Sequence, residues 1–363
     1  MAQLFEQASI GNLFLRNRFV RSATWEGLAD RDGFVTPRLC EMMAELARNE
    51  VGLILSGYAF VTRDGQSSPW QLAAWDDRFL TGLGQMANAV HAAGGRIALQ
   101  LVHAGRFSSQ ELTGEKPLVP SSDGPLYRPL TQSGIDTVVA AFADAADRAK
   151  KAGFDAVQIH AAHGFLLSEF LSPAFNRRED AYGGSLENRA RMLLDVVRAV
   201  RAKVGPEYPI LVKLNSEDFL EDGMTRSEAL EVASMLESAS VDAIELSGGT
   251  QLSNEMIPPR IGELTETRQE VYYREAAQQY QGRVGIPLIL VGGIRSYQVA
   301  EELVRQGATQ FVSLSRPLIG EPNLVKRWHE GDRAKSICVS CNGCFAPALD
   351  GQGLRCVIND TPS

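Results

Sequence analysis

Apolar runs of strand length recur along the chain, separated by stretches in which apolar residues return every three or four positions. The runs predict strands over 18–22, 52–56, 96–101, 156–160, 210–214, 243–247, 288–291 and 310–313. Several are apolar throughout, as expected of parallel strands covered on both faces. Helical period is predicted over 78–93, 134–152, 186–204, 226–239, 267–281 and 297–306, with glycines closing several of these at Gly94, Gly153 and Gly307. Strand and helix alternate eight times over about 310 residues, the pattern of a (β/α)₈ barrel. Periodicity alone leaves a doubly wound sheet open as well.

Two connections break the rhythm. Residues 104–131 carry Gly114, Pro117, Pro120, Gly124, Pro125 and Pro129 with no helical period, and residues 62–70 read TRDGQSSPW. Loops of such length are commonly lids over a site. The whole chain has 363 residues, 44% hydrophobic and 22% charged, enough for one large barrel (1–330) followed by a short extension (331–363). The net charge of −8 argues against a nucleic-acid partner held by a basic surface. The first residues, MAQLFEQASIGN, lack the basic and apolar regions of a signal peptide, and no apolar run approaches the ~18 residues of a membrane span. A cytoplasmic protein with no membrane partner is expected.

The densest chemistry follows the fourth predicted strand, in GFDAVQIHAAHGFLLSEFLSPAFNRREDAYGGSLENRAR from Gly153. A buried strand here runs into two imidazoles, His160 and His163, spaced so that a tight turn would face both into one cavity. A lone Lys213 ends an apolar strand, and a buried ammonium needs partners. Gln100 lies in QLVHAGR, Gly292 and Gly293 in VGGI, and Ser315 and Arg316 in SLSRP. Glycine N–H groups and an arginine at the end of the last two strands suit a phosphate. A tight turn and a surface ion pair would account for the same residues without a ligand.

NRREDAYGGSLENRAR closely resembles the segment after the fourth strand of the old yellow enzyme family of FMN-dependent oxidoreductases. QLVHAGR resembles that family's QLWHAGR, and VGGI and SLSRP its phosphate motifs, with Ser315 in place of the usual glycine. The resemblance covers residues 3–330 and selects the α/β barrel. It implies FMN held by Ala23, Thr24, Gly57, Gln100, Lys213, Gly292, Gly293, Ser315 and Arg316. Gly57 would let the backbone approach the ring, and Lys213 would face its N1 and O2. It further implies NAD(P)H as reductant, with His160 and His163 as the catalytic pair holding the oxygen of a small electrophilic acceptor such as an activated alkene or quinone. One position departs: many relatives have a proton-donating tyrosine where this chain has Phe165, leaving Tyr58, Tyr182 or water to supply the proton. A flavin-free lyase using Lys213 as a Schiff base would leave the other motifs without a role.

Four of the five cysteines, Cys338, Cys341, Cys344 and Cys356, follow the spacing C-x2-C-x2-C-x11-C. The branch of the family that resembles 2,4-dienoyl-CoA reductase and trimethylamine dehydrogenase carries one more residue between the second and third. Four thiolates suit a [4Fe–4S] cluster or zinc equally, and unligated thiols are a third alternative. A cluster would suit an electron-transfer component working with a separate FAD/NAD subunit. Whether the chain forms a homo-oligomer is open at this stage.

Overall fold

The computed structural model describes residues 3–358 except 123, 263 and 265, and leaves the side chain of residue 268 aside. Eight parallel strands close into a barrel: β1 (Phe19–Arg21), β2 (Leu53–Phe60), β3 (Ile97–Val102), β4 (Ala156–Ala161), β5 (Ile210–Asn215), β6 (Ala243–Ser247), β7 (Leu288–Leu290) and β8 (Phe311–Leu314). Each strand pairs with its neighbour in sequence, and β8 pairs with β1. The barrel predicted by the alternation and the resemblance is therefore the fold. Helices α1 (Pro37–Arg48), α2 (Leu80–Ala92), α3 (Gln132–Lys151), α4 (Leu186–Val204), α5 (Arg226–Ser238), α6 (Arg274–Tyr280) and α7 (Tyr297–Arg305) cover the outside. Their starts are chemically marked. Thr36, Thr131, Ser185 and Thr225 each accept a backbone N–H from the first turn, and Thr225 and Glu228 form a reciprocal capping box.

Two strand faces are buried, so the strands look uniformly apolar in sequence, yet their inward positions split into layers. Val20, Leu53, Leu55, Ala98, Ala156, Leu211, Ala243, Ile289 and Phe311 form an apolar cluster, closed by Ile10, Leu13 and Leu15 of an antiparallel hairpin (Ala8–Ile10 and Leu13–Leu15). Two residues further along β3, β4, β5, β6 and β8 stand Gln100, Gln158, Lys213, Glu245 and Ser313, all buried. Strand periodicity of two carries the barrel from an apolar lower layer to a polar upper one.

Three elements depart from the sequence pattern. Strand β2 continues to Phe60 because its pairing with β3 skips a residue between Leu55 and Tyr58, a bulge beside Gly57. The helix expected over 267–281 is a single turn, Thr267–Gln269, and α6, interrupted where Val271 takes φ +67°. The long connection 104–131 is organised by a helical turn at Gln110–Thr113 and a two-residue pairing of Leu118–Val119 with Arg128–Pro129. Arg106 anchors its base, with Nε 3.2 Å from Glu169 Oε2.

The extension is not a separate body. Cys344, Ala348 and Leu354 pack against Trp25, Ile319 and Phe345, and Leu354 N–H donates to the Glu26 carbonyl at 2.7 Å.

Candidate functional site

A cavity of about 460 Å³ opens at the carboxyl-terminal mouth of the barrel. Ala23, Thr24, Gln100, His160, His163, Lys213, Gly292, Gly293, Ser315 and Arg316 all line it, as does Cys338. Its volume lies within the range of small-molecule and cofactor sites. Three cations, Lys213, Arg295 and Arg316, line the wall, with no carboxylate among the described lining residues.

The two histidines meet because the chain turns sharply after β4. His163 takes φ +66° and Gly164 φ +77°, and His163 N–H donates to Asn215 Oδ1 at 3.1 Å. A left-handed histidine is uncommon and marks a constrained site. The imidazole centroids end 5.0 Å apart, nearly perpendicular. Burial, the neighbouring imidazole and Lys213 hold His160 well below its usual pKa; burial and Lys213 do the same to His163. Both rings are neutral at physiological pH. His160 Nδ1 faces the Ala162 N–H at 3.3 Å, which places the ring proton on Nε2. His163 Nε2 lies 2.7 Å from Ser247 Oγ, which holds that ring in place.

Lys213 is buried with Nζ 2.8 Å from Ser22 Oγ and 3.0 Å from Glu245 Oε2. Glu245 also accepts Gln158 Nε2 at 3.0 Å and Ser313 Oγ at 2.8 Å, while Gln158 Oε1 accepts Gln100 Nε2 at 2.6 Å. Burial raises the Glu245 pKa, but Lys213 and the hydroxyl donors outweigh it and the carboxyl stays below its usual value. The sequence reading found Gln100 and Lys213 and missed Gln158 and Glu245. The available signal was a polar residue within each of the apolar runs 156–160 and 243–247.

At the opposite end, Gly292 (φ +122°) and Gly293 (φ +75°) follow β7, and a side chain on Gly293 would come within 2.5 Å of Tyr272 Cε1. Beside them a helical turn, Arg316–Gly320, begins at Ser315 without a side-chain cap; Pro317 carries no N–H, and Leu318 N–H donates to the Ser315 carbonyl at 3.0 Å. Arg316 Nη1 donates to the Arg260 carbonyl at 2.7 Å and to Asn342 Oδ1 at 2.8 Å. Thr24 Oγ1 lies 2.8 Å from Ser315 Oγ, joining the first and last strands across the cavity wall. Also lining the wall, and not foreseen, are Arg295, Tyr272, Tyr273, Ser340 and Phe345, the last two from the extension.

Gly57 does not line the cavity. A Cβ there would stand 2.0 Å from Glu26 Oε2, and its N–H donates to Glu26 Oε1 at 2.7 Å. This glycine makes room for a buried ion pair, Arg21 Nη1 to Glu26 Oε1 at 3.1 Å. Tyr182 is also remote: its hydroxyl donates to Asp195 Oδ2 at 3.1 Å on the helical surface. Tyr58 does line the cavity, with its ring 5.7 Å from that of Phe165 and its hydroxyl 3.1 Å from Ser68 Oγ.

These residues fit FMN. Two glycines and Arg316 suit its phosphate, and an amide and an ammonium suit its pyrimidine edge. The cysteines do not fit a metal as arranged. Cys338 lines the cavity, Cys341 is exposed, Cys344 is buried and Cys356 is half-buried. No group of three or more His, Cys, Asp or Glu side chains among the described residues is disposed to hold an ion. Burial and the neighbouring thiols push Cys344 up to about 11, which keeps it protonated. Among the described residues no helix is long and apolar enough to cross a membrane.

Residues 3–335 match the NADH:flavin oxidoreductase / NADH oxidase family. The chain is 38% identical to an NADH oxidase of Thermoanaerobacter brockii, over 98% of its own length and 56% of that protein's, so it spans about half of that relative. It is 33% identical to a 4,4'-dithiodibutanoate disulfide reductase of Rhodococcus erythropolis, over 98% of its length and 95% of the relative's. Among solved structures it resembles the old yellow enzyme homologue of Zymomonas mobilis, with a TM-score of 0.79, 28% identity, and coverage of 92% and 94% of the two chains. On sequence and fold together, the chain belongs to the NADH:flavin oxidoreductase / NADH oxidase family.

Proposed function

We propose that this chain is an FMN-dependent oxidoreductase that takes hydride from NAD(P)H and passes it to a small electrophilic acceptor, an activated alkene, a quinone or a similar group. The observation that carries the reading is the single cavity in which a neutral histidine pair, Gln100, Lys213 and a glycine–arginine corner all meet. Bound FMN would supply reversible two-electron chemistry. Gly292, Gly293, Ser315 and Arg316 would hold its phosphate, and Gln100, Lys213, Ala23 and Thr24 its ring system.

The protein's own contribution is electrostatic and geometric. Lys213 keeps a fixed positive charge where electron density accumulates, and it costs no reorganisation because Ser22 and Glu245 already hold it. His160 offers an Nε2 proton to the acceptor's oxygen, and His163 supports it from 5.0 Å. A neutral donor withdraws density from a conjugated carbon without titrating near pH 7. Tyr58 and Phe165 give the cavity an aromatic wall, their rings 5.7 Å apart. Phe165 offers no proton, so among the phenols weighed from sequence only Tyr58 is positioned to give one to a reduced carbon.

A yellow protein that bleaches anaerobically on addition of NADH or NADPH, and recovers colour with a quinone or an enone, is the expected result. 4,4'-Dithiodibutanoate belongs in the same acceptor panel. A colourless preparation that cannot be reconstituted with FMN would reject the proposal.

A further inference from the structure

Beneath the cavity floor lies a buried carboxylate that touches nothing in the cavity itself. Glu245 is fully buried and does not line the wall, yet side chains converge on it: Lys213 and Gln158 on Oε2, Ser313 on Oε1, with the Ser22 hydroxyl beside them. Strand register explains why. Glu245 on β6 is the direct partner of Lys213 on β5, and Gln158 on β4 is the direct partner of Gln100 on β3. Between β4 and β5 the register steps, with Gln158 opposite Leu211 and Lys213 opposite His160, so the two pairs form one polar row only through the Gln158–Glu245 hydrogen bond.

The chemistry of the row has a direction. A carboxylate only accepts hydrogen bonds, so Gln158 must turn its NH₂ towards Glu245 and its oxygen towards Gln100. Gln100 must then give an N–H to Gln158, which fixes its oxygen and second N–H as the groups left for the cavity. An amide in place of Glu245 could donate as well as accept, and both glutamines would lose their assigned orientation. Glu245 also sets the field. With its charge 3.0 Å from Lys213 Nζ, the cavity meets an ion pair instead of a bare cation.

We propose that Glu245 is a positioning residue that fixes the hydrogen-bond polarity of Gln100 and restrains the positive field of Lys213, holding the reduction potential of the bound flavin low. This rests on the FMN reading above. A low potential favours passing hydride on to an acceptor over retaining it, so the pair sets the balance between the two halves of the cycle.

The test is Glu245→Gln in the FMN-loaded protein, with the flavin's midpoint potential read against a redox dye and its affinity for sulfite by titration. Sulfite adds to oxidised flavin and leaves negative charge on the pyrimidine side, so it reports the field there. The expected result is sulfite binding about tenfold tighter, with the potential about 30 mV more positive for each tenfold change in a two-electron couple. Glu245→Asp, which keeps the charge, should restore most of the wild-type value. Wild-type potential and sulfite affinity in Glu245→Gln would overturn the proposal. If that variant does not retain flavin, Gln158→Leu, which keeps the Lys213–Glu245 pair and removes the amide linking Glu245 to Gln100, is compared with wild type. The proposal requires an altered potential and sulfite affinity there, and wild-type values would overturn it. Wild-type protein that binds no FMN would instead reject the functional reading itself.

Discussion

Replacing Gly57 by alanine separates two accounts of one residue. If the glycine exists to admit a ligand, alanine should weaken FMN binding and leave the apo-protein's stability nearly unchanged. The structure requires the opposite. The new Cβ would stand 2.0 Å from Glu26 Oε2 and 2.8 Å from its Cδ, distances that force the carboxylate to move. Glu26 is buried, receives the Gly57 N–H at 2.7 Å and pairs with Arg21 at 3.1 Å. Burial raises its pKa even with Arg21 beside it, so the pair is not a net source of stability. Breaking it is still expensive, because both charges stay buried without a partner; the cost is about 3–5 kcal/mol. Urea unfolding of apo-protein should show a loss of that size in Gly57→Ala. In a Glu26→Ala background the carboxylate is gone and only the Thr24 carbonyl, 3.0 Å from the new Cβ, still crowds it, so adding Gly57→Ala should cost clearly less than it does in wild type. A Gly57→Ala protein with wild-type urea stability and weakened FMN affinity would refute the argument, and so would equal costs in the two backgrounds.

Acid sensitivity follows from the histidines. His160 is held well below its ordinary 6.5 in the folded state, so the unfolded chain binds its proton first and stability is lost as pH falls below that value. His160→Asn should remove about 1 kcal/mol of the loss between pH 7 and 5.5, seen as a shallower fall in urea midpoint, and an unchanged slope would contradict the neutral assignment. Arg316→Lys should weaken FMN binding roughly tenfold or more by fluorescence titration, since the guanidinium commits Nη1 to Arg260 and Asn342 and keeps its other nitrogens for a phosphate, a division that a single ammonium nitrogen lacks. Phe165→Tyr should raise turnover with an enone relative to a quinone, and Tyr58→Phe should lower that ratio; identical ratios in both variants would assign carbon protonation to solvent.

The gross architecture was legible because it depends on repeated, redundant signals. Eight apolar runs with helices between them survive errors of a few residues at each end, and motifs such as QLVHAGR and VGGI occupy strand ends that the fold itself fixes. The cavity's first layer was legible for the same reason: Gln100, His160 and Lys213 are polar groups at the ends of apolar runs. The layer beneath was not. Whether Gln158 and Glu245 point into the barrel depends on inward and outward positions that look alike when both faces are buried, and on register between strands distant in sequence. Gly57 is a different case. A glycine in a strand has several uses, and only the bulge between Leu55 and Tyr58, with Glu26 arriving from another loop, selects among them. That same bulge adds a residue to β2 and brings Tyr58 opposite Gln100. One inserted residue therefore both encloses the Arg21–Glu26 pair and delivers a phenol to the cavity next to Phe165.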